Sequence, residues 1–344
     1  MSGTEDRLAG VLVGTALGDA LGLPFENLTA EVIAADFPAR GRFHFLGRAG
    51  HVSDDTEQSA LVAQSLLREP ADAEACAGRF GRALVGWLLR VPWGIGFATL
   101  RACAWRMVGF RASGVRSAGN GAAMRAAVAG VFFATDPARR RAFSDALARI
   151  THTDPRAVEA ARFVAALAAD LSLRQPGQSV EVAAARAEVA DATLAAALDR
   201  AIALAGAPVA EQARELGTTG YAVHTVAFAL AVFLRYGDRP AEALEEAVRA
   251  GGDTDSIGAI VGAWCGARHG LSGLPPALVA DLAPGPFGPA HLIALAHALA
   301  CRQRGEPAPC PEFSAAAALA RNLTLLPVVL AHVAARAARS LRRR

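Results

Sequence analysis

The chain has 344 residues, of which 53% are hydrophobic and 19% charged, and carries a formal net charge of +3. That length suits two domains or one large helical domain. A charge this small, with the arginines spread among carboxylates, argues against stable nucleic-acid binding. All 35 basic residues are Arg, aromatic residues make up 6%, and Ala and Leu dominate, so an all-α fold is expected.

Five cysteines (Cys76, Cys103, Cys265, Cys301, Cys310) are scattered without C-x-x-C or zinc spacing, which fits a reducing cytoplasm. The start Met1-Ser2-Gly3-Thr4-Glu5-Asp6 lacks the basic region and apolar core of an export signal. No uninterrupted apolar run approaches the ~20 residues that span a bilayer, so no transmembrane segment is expected. Residues 315–334 come closest, but Arg321, Asn322, Pro327 and His332 interrupt them. A buried or amphipathic helix is expected there, with the basic end 336–344 as the part suited to a surface or partner.

The first organised feature is Gly10, Gly14, Gly18 and Gly22, a glycine at every fourth position. On a helix these form one bare ridge. Each glycine costs about 1 kcal/mol relative to Ala, and close approach of another helix is the usual reason to keep it. Gly258, Gly262 and Gly266 repeat the device late in the chain, so both helices are expected to be central.

Between them, apolar residues recur with helical period over 57–67, 75–89, 122–133, 139–150, 155–173, 190–205, 221–236 and 240–250. Breaks fall at Arg174-Gln-Pro-Gly-Gln-Ser179 and at Tyr236-Gly-Asp-Arg-Pro240. The Pro- and Gly-rich stretch 271–311 predicts a peripheral extension.

Two acidic clusters stand out, Ser53-Asp54-Asp55-Thr56 and Gly251-Gly252-Asp253-Thr254-Asp255-Ser256, each just before an apolar helical segment. Capping accounts for one such residue per helix. It does not account for two carboxylates and two hydroxyls at both. Gathered in one place, these groups would repel unless a cation neutralised them, and hard oxygen donors suit Mg²⁺ or Mn²⁺ rather than zinc. Gly119-Asn120-Gly121 opens the next segment, where free helix amides could meet a phosphate or sugar hydroxyl, although Asn-Gly also reads as a plain turn. His152 in Thr151-His152-Thr153-Asp154-Pro155 reads first as a structural residue, and Tyr221 first as core.

In order, these motifs resemble the ADP-ribosylglycohydrolase family, which includes hydrolases releasing ADP-ribose from arginine on dinitrogenase reductase. The residues that carry the resemblance are Gly14-Thr-Ala-Leu-Gly-Asp-Ala-Leu-Gly-Leu-Pro-Phe-Glu26, Ser53-Asp-Asp-Thr56, Gly119-Asn-Gly-Ala-Ala-Met-Arg125, Thr151-His152, Gly220-Tyr221 and the run from Gly251 through Gly262. It covers residues 7–270 as a catalytic domain and leaves 271–344 as a helical extension with a basic tail.

The resemblance implies a central cleft with two Mg²⁺ or Mn²⁺ ions. Ser53, Asp54, Asp55, Asp253, Asp255 and Ser256 would be the ligands. Asn120, Gly121, Met124, His152 and Tyr221 would contact ADP-ribose. Relatives place a carboxylate before the Gly-Asn-Gly turn where this chain has Arg116-Ser117-Ala118. Glu26, Asp54 and Asp55 are therefore the candidates for acid–base work. The implied activity is removal of ADP-ribose from a mono-ADP-ribosylated protein, first from arginine, by a monomeric enzyme. The alternatives are another ADP-ribosyl linkage (serine, O-acetyl-ADP-ribose, nucleic acid) or a non-catalytic ADP-ribose binder or structural protein on the same scaffold.

Overall fold

The computed structural model describes residues 3–342, with side chains for residues 3–335. The basic end 336–344 lies outside the residues whose side chains are described. All regular structure among the described residues is helical, as the composition leads one to expect, with isolated bridges such as Gly119 to Tyr221 in place of strands. The helices that position the site are α1 (Gly3–Gly22), α2 (Asp54–Arg68), α3 (Ala73–Leu88), α4 (Phe97–Met107), α5 (Pro155–Leu173), α6 (Ala222–Tyr236), α7 (Thr254–His269), α8 (Pro289–Gln303) and α9 (Ala315–Arg342).

The two glycine ridges meet. α1 and α7 run antiparallel with Gly10 against Gly266, Gly14 against Gly262 and Gly18 against Gly258, backbone on backbone. A methyl group on any of these glycines would overlap the partner's carbonyl. Both helices are buried on every side, from Leu8 to Gly22 and from Thr254 to Arg268. A helix apolar all round belongs in the middle of a core. α5, α6 and α8 complete the shell: Trp264 of α7 donates to the Val164 carbonyl of α5 at 3.2 Å, and its ring packs on Phe163 and Phe233.

Three expectations are revised. The segment 122–133 is helical only over Ala127–Phe132, because Asn120–Ala122 forms a single 3-10 turn that turns the chain toward the site. α4 was not foreseen, since Gly94, Gly96 and Gly109 bracket it like a loop. The stretch 271–311 is not simply peripheral: α8 sends Leu292, Leu295, Ala296 and Leu299 fully into the core.

By length and composition, two helices are apolar enough to cross a membrane. One is Gly3–Phe25, buried in the core from Leu8 onward. The other is Ala315–Ala335, 11% buried, which continues straight through the Arg321, Asn322, Pro327 and His332 interruptions.

The ridge contact gives a signed test. Gly18→Ala should lower stability by at least about 2 kcal/mol, because backbone rather than a side chain has to move. Gly78→Ala in α3, where the new methyl meets only an Arg82 nitrogen at 3.7 Å, should raise it by about 0.5–1 kcal/mol. Urea denaturation of both variants measures this; small, equal effects would show that the ridge is not tightly packed.

Candidate active site

Both acidic clusters open helices. Asp54 and Asp55 begin α2, while Asp253 immediately precedes α7 and Asp255 lies in its first turn. Simple capping would turn Ser53 and Asp253 onto their own helix amides, and neither does so. The Ser53 hydroxyl instead donates to Asp19 Oδ1 at 2.7 Å, and its amide to Oδ2 at 2.9 Å. The Thr56 amide and hydroxyl donate to the same carboxylate at 3.1 and 2.5 Å. Asp19 sits on the glycine-ridged α1, so four donors tie the start of α2 to the core. Burial nevertheless pushes the Asp19 carboxyl up to about 6, against the pull of those hydrogen bonds.

Asp253 is held from a different side. Asn120 Nδ2 donates to Asp253 Oδ2 at 2.7 Å and to Thr225 Oγ1 at 3.0 Å, so the Gly-Asn-Gly turn is fixed against α6 and the start of α7. Asp54 Oδ2 accepts from Gln58 Nε2 at 2.9 Å, and Gln58 Oε1 accepts from Arg125 Nη1 at 2.7 Å. Arg125 also donates to the Gly121 carbonyl, and to Thr151 Oγ1 at 2.6 Å, which in turn meets His152 Nδ1 at 2.8 Å. One buried guanidinium thus links the α2 cluster, the Gly-Asn-Gly turn and the Thr-His element.

The electrostatics are lopsided. Asp54, Asp55 and Asp255 are all held well above the usual carboxylate range, first by burial and then by one another, Asp19, Asp253 and Glu26. Asp55 accepts from the Ser256 hydroxyl, but its Oδ1 is buried with no partner. Burial lowers Arg125 to about 10, with Asp54 opposing. Burial and then Arg125 push His152 down to about 3, which leaves its imidazole neutral at physiological pH.

These groups surround a cavity of about 580 Å³. Of the residues singled out in the sequence, Glu26, Asp54, Asp55, Asn120, Gly121, Met124, His152, Asp253, Asp255 and Ser256 line it. Two do not. Ser53 lies behind the wall with its hydroxyl turned to Asp19. Tyr221 points elsewhere: its hydroxyl accepts from Arg156 Nη1 at 3.1 Å, its ring lies under that guanidinium, and Gly220 takes the wall position. A larger cavity of about 820 Å³, lined by Arg7, Arg139 and Arg174 among others, contains none of these motifs.

Sequence reasoning missed several residues that shape the site. Asp19 carried a signal, a lone carboxylate on a ridge otherwise suited only to packing. Gln58 and Arg125 act through hydrogen bonds no local pattern shows. Val329 and Val333 of α9 reach the cavity from more than 300 residues away from Glu26. α9 is held there by Asn322 Nδ2 on the Arg90 carbonyl at 2.7 Å, Arg321 on Glu57, and His332 Nε2 at the Pro24 carbonyl at 3.1 Å.

Among the described residues, no three His, Cys, Asp or Glu side chains stand close enough together to hold an ion as placed. The donor chemistry nevertheless fits a divalent cation. Hard oxygens dominate, Asp55 Oδ1 has no partner, and the carboxylates outnumber the buried guanidinium beside them, Arg125.

A helical core whose two glycine-packed helices bring carboxylate-rich helix starts to one cleft is the class of scaffold this chain presents. The sequence profile of the ADP-ribosylglycohydrolase family matches residues 1–308, and the chain belongs to that family. An uncharacterized protein of Archaeoglobus fulgidus is 32% identical over 273 residues, 77% of this chain and 88% of its own. ADP-ribosylarginine hydrolase Tri1 of Pseudomonas putida is 27% identical over 81% of this chain and 74% of its own length. The ADP-ribosyl-[dinitrogen reductase] glycohydrolase of Rhodospirillum rubrum is 31% identical over 44% of this chain and 53% of its own. A solved structure described as an ADP-ribosylglycohydrolase-related protein complex superposes with a TM-score of 0.61 at 28% identity, covering 87% of this chain and 98% of its own. Hydrolysis of an ADP-ribosyl bond is the general activity that membership brings.

The Asp19 anchor can be tested by stability alone. Asp19→Asn replaces an accepting oxygen with an amide that faces donors, and should cost about 2 kcal/mol in urea denaturation at neutral pH. An unchanged midpoint would show that the four hydrogen bonds do not hold α2 in place.

Proposed function

We propose that the protein hydrolyses the N-glycosidic bond between ADP-ribose and arginine on a mono-ADP-ribosylated protein, with two Mg²⁺ or Mn²⁺ ions as cofactors. The observation that carries the reading is the shared cavity of Asp54, Asp55, Asp253, Asp255 and Glu26, where burial, and then neighbouring carboxylates, hold Asp54, Asp55 and Asp255 well above the ordinary carboxylate range. Asp54, Asp55, Asp253, Asp255 and Ser256, which line the cavity, would hold the ions, while Ser53, behind the wall, would position Asp54 and Asp55 through its bond to Asp19. Bound divalent ions supply neutralising charge and a more acidic water.

The chain's own groups account for the rest. Cleavage at the anomeric carbon develops oxocarbenium-like positive charge, and the carboxylates of the cavity stabilise it without forming a covalent bond. Glu26 is half-buried on the cavity wall, close enough for its charge to raise Asp54, Asp55 and Asp255; it would take the proton of the attacking water as the C–N bond breaks and pass it to the departing guanidine nitrogen, so that arginine and ADP-ribose leave. Asn120, Gly121 and Met124 would orient the ribose and diphosphate. His152, neutral at physiological pH, would hydrogen-bond the sugar without adding charge. An arginine linkage is favoured because the motifs follow the pattern of the arginine-directed hydrolases.

Free ADP-ribose released from ADP-ribosyl-arginine, with Mg²⁺, with Mn²⁺ and with a chelator, tests this directly. Release should need an ion and should fall at least about 100-fold in an Asp55→Ala, Asp253→Ala double variant. No release with any ion, but tight ADP-ribose binding, would transfer the reading to another linkage; neither release nor binding would end it.

The ion sites also predict a pH dependence. The folded carboxylates Asp54, Asp55 and Asp255 hold protons that the unfolded chain releases, so their stability contribution is present at low pH and lost as pH rises through their raised values. His152 works the other way, losing its contribution as pH falls from its ordinary value of 6.5 toward about 3. The difference in Tm between cation-loaded and chelated protein removes the His152 effect. That difference should be larger at pH 8 than at pH 5, where protons compete for the same oxygens; calorimetry reads it, and the opposite trend would argue against carboxylate ligands.

A further inference from the structure

The outward face of α4 is apolar. Ala98, Thr99, Ala102 and Cys103 turn inward, while Phe97, Leu100, Ala104 and Trp105, with Val108 just past the helix end, turn to solvent. These positions fall on one stripe of a helix, spaced as the apolar face of a docking helix would be. Phe97 is 85% exposed, Val108 67% and Trp105 47%. Trp105 and Phe110 stand edge to face with centroids 5.3 Å apart, which holds two large rings ready at the surface. The stripe starts at the candidate site, because Phe97 and Thr99 line the cavity, and it runs about 16 Å away from it along the helix.

The charge around this face is unbalanced. Residues 75–135 contain eight arginines and no Asp or Glu, which corrects the even spread expected from the overall composition. Arg101 lies on the stripe itself. Arg82, Arg106 and Arg111 border a recess of about 380 Å³ beside Phe110. Arg106 gives its hydrogen bonds to the Arg111 and Gly78 carbonyls and to Ser113 Oγ, and burial together with nearby Arg82 lowers it below the ordinary arginine value.

Trp, Phe, Met and Arg are the residues that concentrate at the centres of protein interfaces. Phe97, Trp105 and Phe110 could stack on bases, but the exposed aliphatic side chains of Leu100, Met107 and Val108 interleave with them, and an aliphatic surface pairs with apolar side chains, so the mixture favours a polypeptide over a single-stranded nucleic acid. We propose that the outward face of α4 docks the polypeptide that carries the ADP-ribose, through an apolar groove rimmed by Asp and Glu, so that the modified side chain is delivered past Phe97 into the cleft. This rests on the function proposed above and names the kind of target the cleft would serve.

The test uses the full chain with a Trp105→Ser, Val108→Ser double variant and a separate Arg101→Glu variant, all at exposed positions away from the cavity. Three probes are compared: free ADP-ribosyl-arginine, a peptide carrying one ADP-ribosyl-arginine beside a Leu- and Glu-rich amphipathic segment, and that segment unmodified and fluorescently labelled. Both variants should reduce kcat/KM on the peptide at least tenfold, leave free ADP-ribosyl-arginine within twofold, and weaken binding of the labelled segment in anisotropy. Equal turnover of the peptide by wild type and variants would overturn the proposal. So would tighter binding of a single-stranded oligothymidine than of the acidic segment, or a dimer of this chain that the variants dissolve. If free ADP-ribosyl-arginine is not turned over at all, the proposed function fails, and the anisotropy measurement alone decides the surface.

Discussion

Backbone contact between α1 and α7 is the constraint on which the site depends. With glycine at the contact positions of both helices, no side chain separates them, and the end of one comes against the start of the other: the Thr254 hydroxyl donates to the Gly22 carbonyl at 2.8 Å. From that fixed pair, Asp19 reaches sideways to hold the start of α2, and Asp255 enters the cleft from α7. Two helix N-termini, each with partial positive charge, therefore converge on one cavity. Larger residues on the ridge would push apart the elements that bring the carboxylates together.

Convergence of this kind is costly without a counter-ion. Two helix dipoles offset only part of the repulsion among Asp54, Asp55, Asp253 and Asp255, and the one guanidinium buried beside them, Arg125, already serves Gln58, Gly121 and Thr151. Burial first, and then this mutual repulsion, hold Asp54, Asp55 and Asp255 well above the ordinary carboxylate range. The same physics that makes these groups poor carboxylates when alone makes them strong oxygen donors toward a divalent cation.

The fold class and the carboxylates of the cavity wall were legible in the sequence, and the reasons are local. Glycine at every fourth position has one common structural meaning, and paired carboxylates beside hydroxyls at a helix start exceed what capping needs. What could not be read depends on side-chain direction or on distant chain. Tyr221 follows Gly220, which does line the cavity, yet a neighbouring Arg156 draws its hydroxyl away. Ser53 belongs to the right motif but spends its proton on Asp19. α4 hid between glycines because its apolar residues face solvent rather than a core, and its charge environment vanished in an average over the whole chain.

Parts of the molecule divide by how far they are shared. The family profile ends at residue 308, and every carboxylate of the cavity lies inside it. α9 lies outside, yet Val329 and Val333 form part of the cavity wall, pinned through Arg321, Asn322 and His332 to Glu57, Arg90 and Pro24. Two valines on a helix cannot take part in the chemistry of the carboxylates. They bound the space beside those groups, and the polar ties of Arg321, Asn322 and His332 fix where that boundary stands against the rigid, glycine-packed pair.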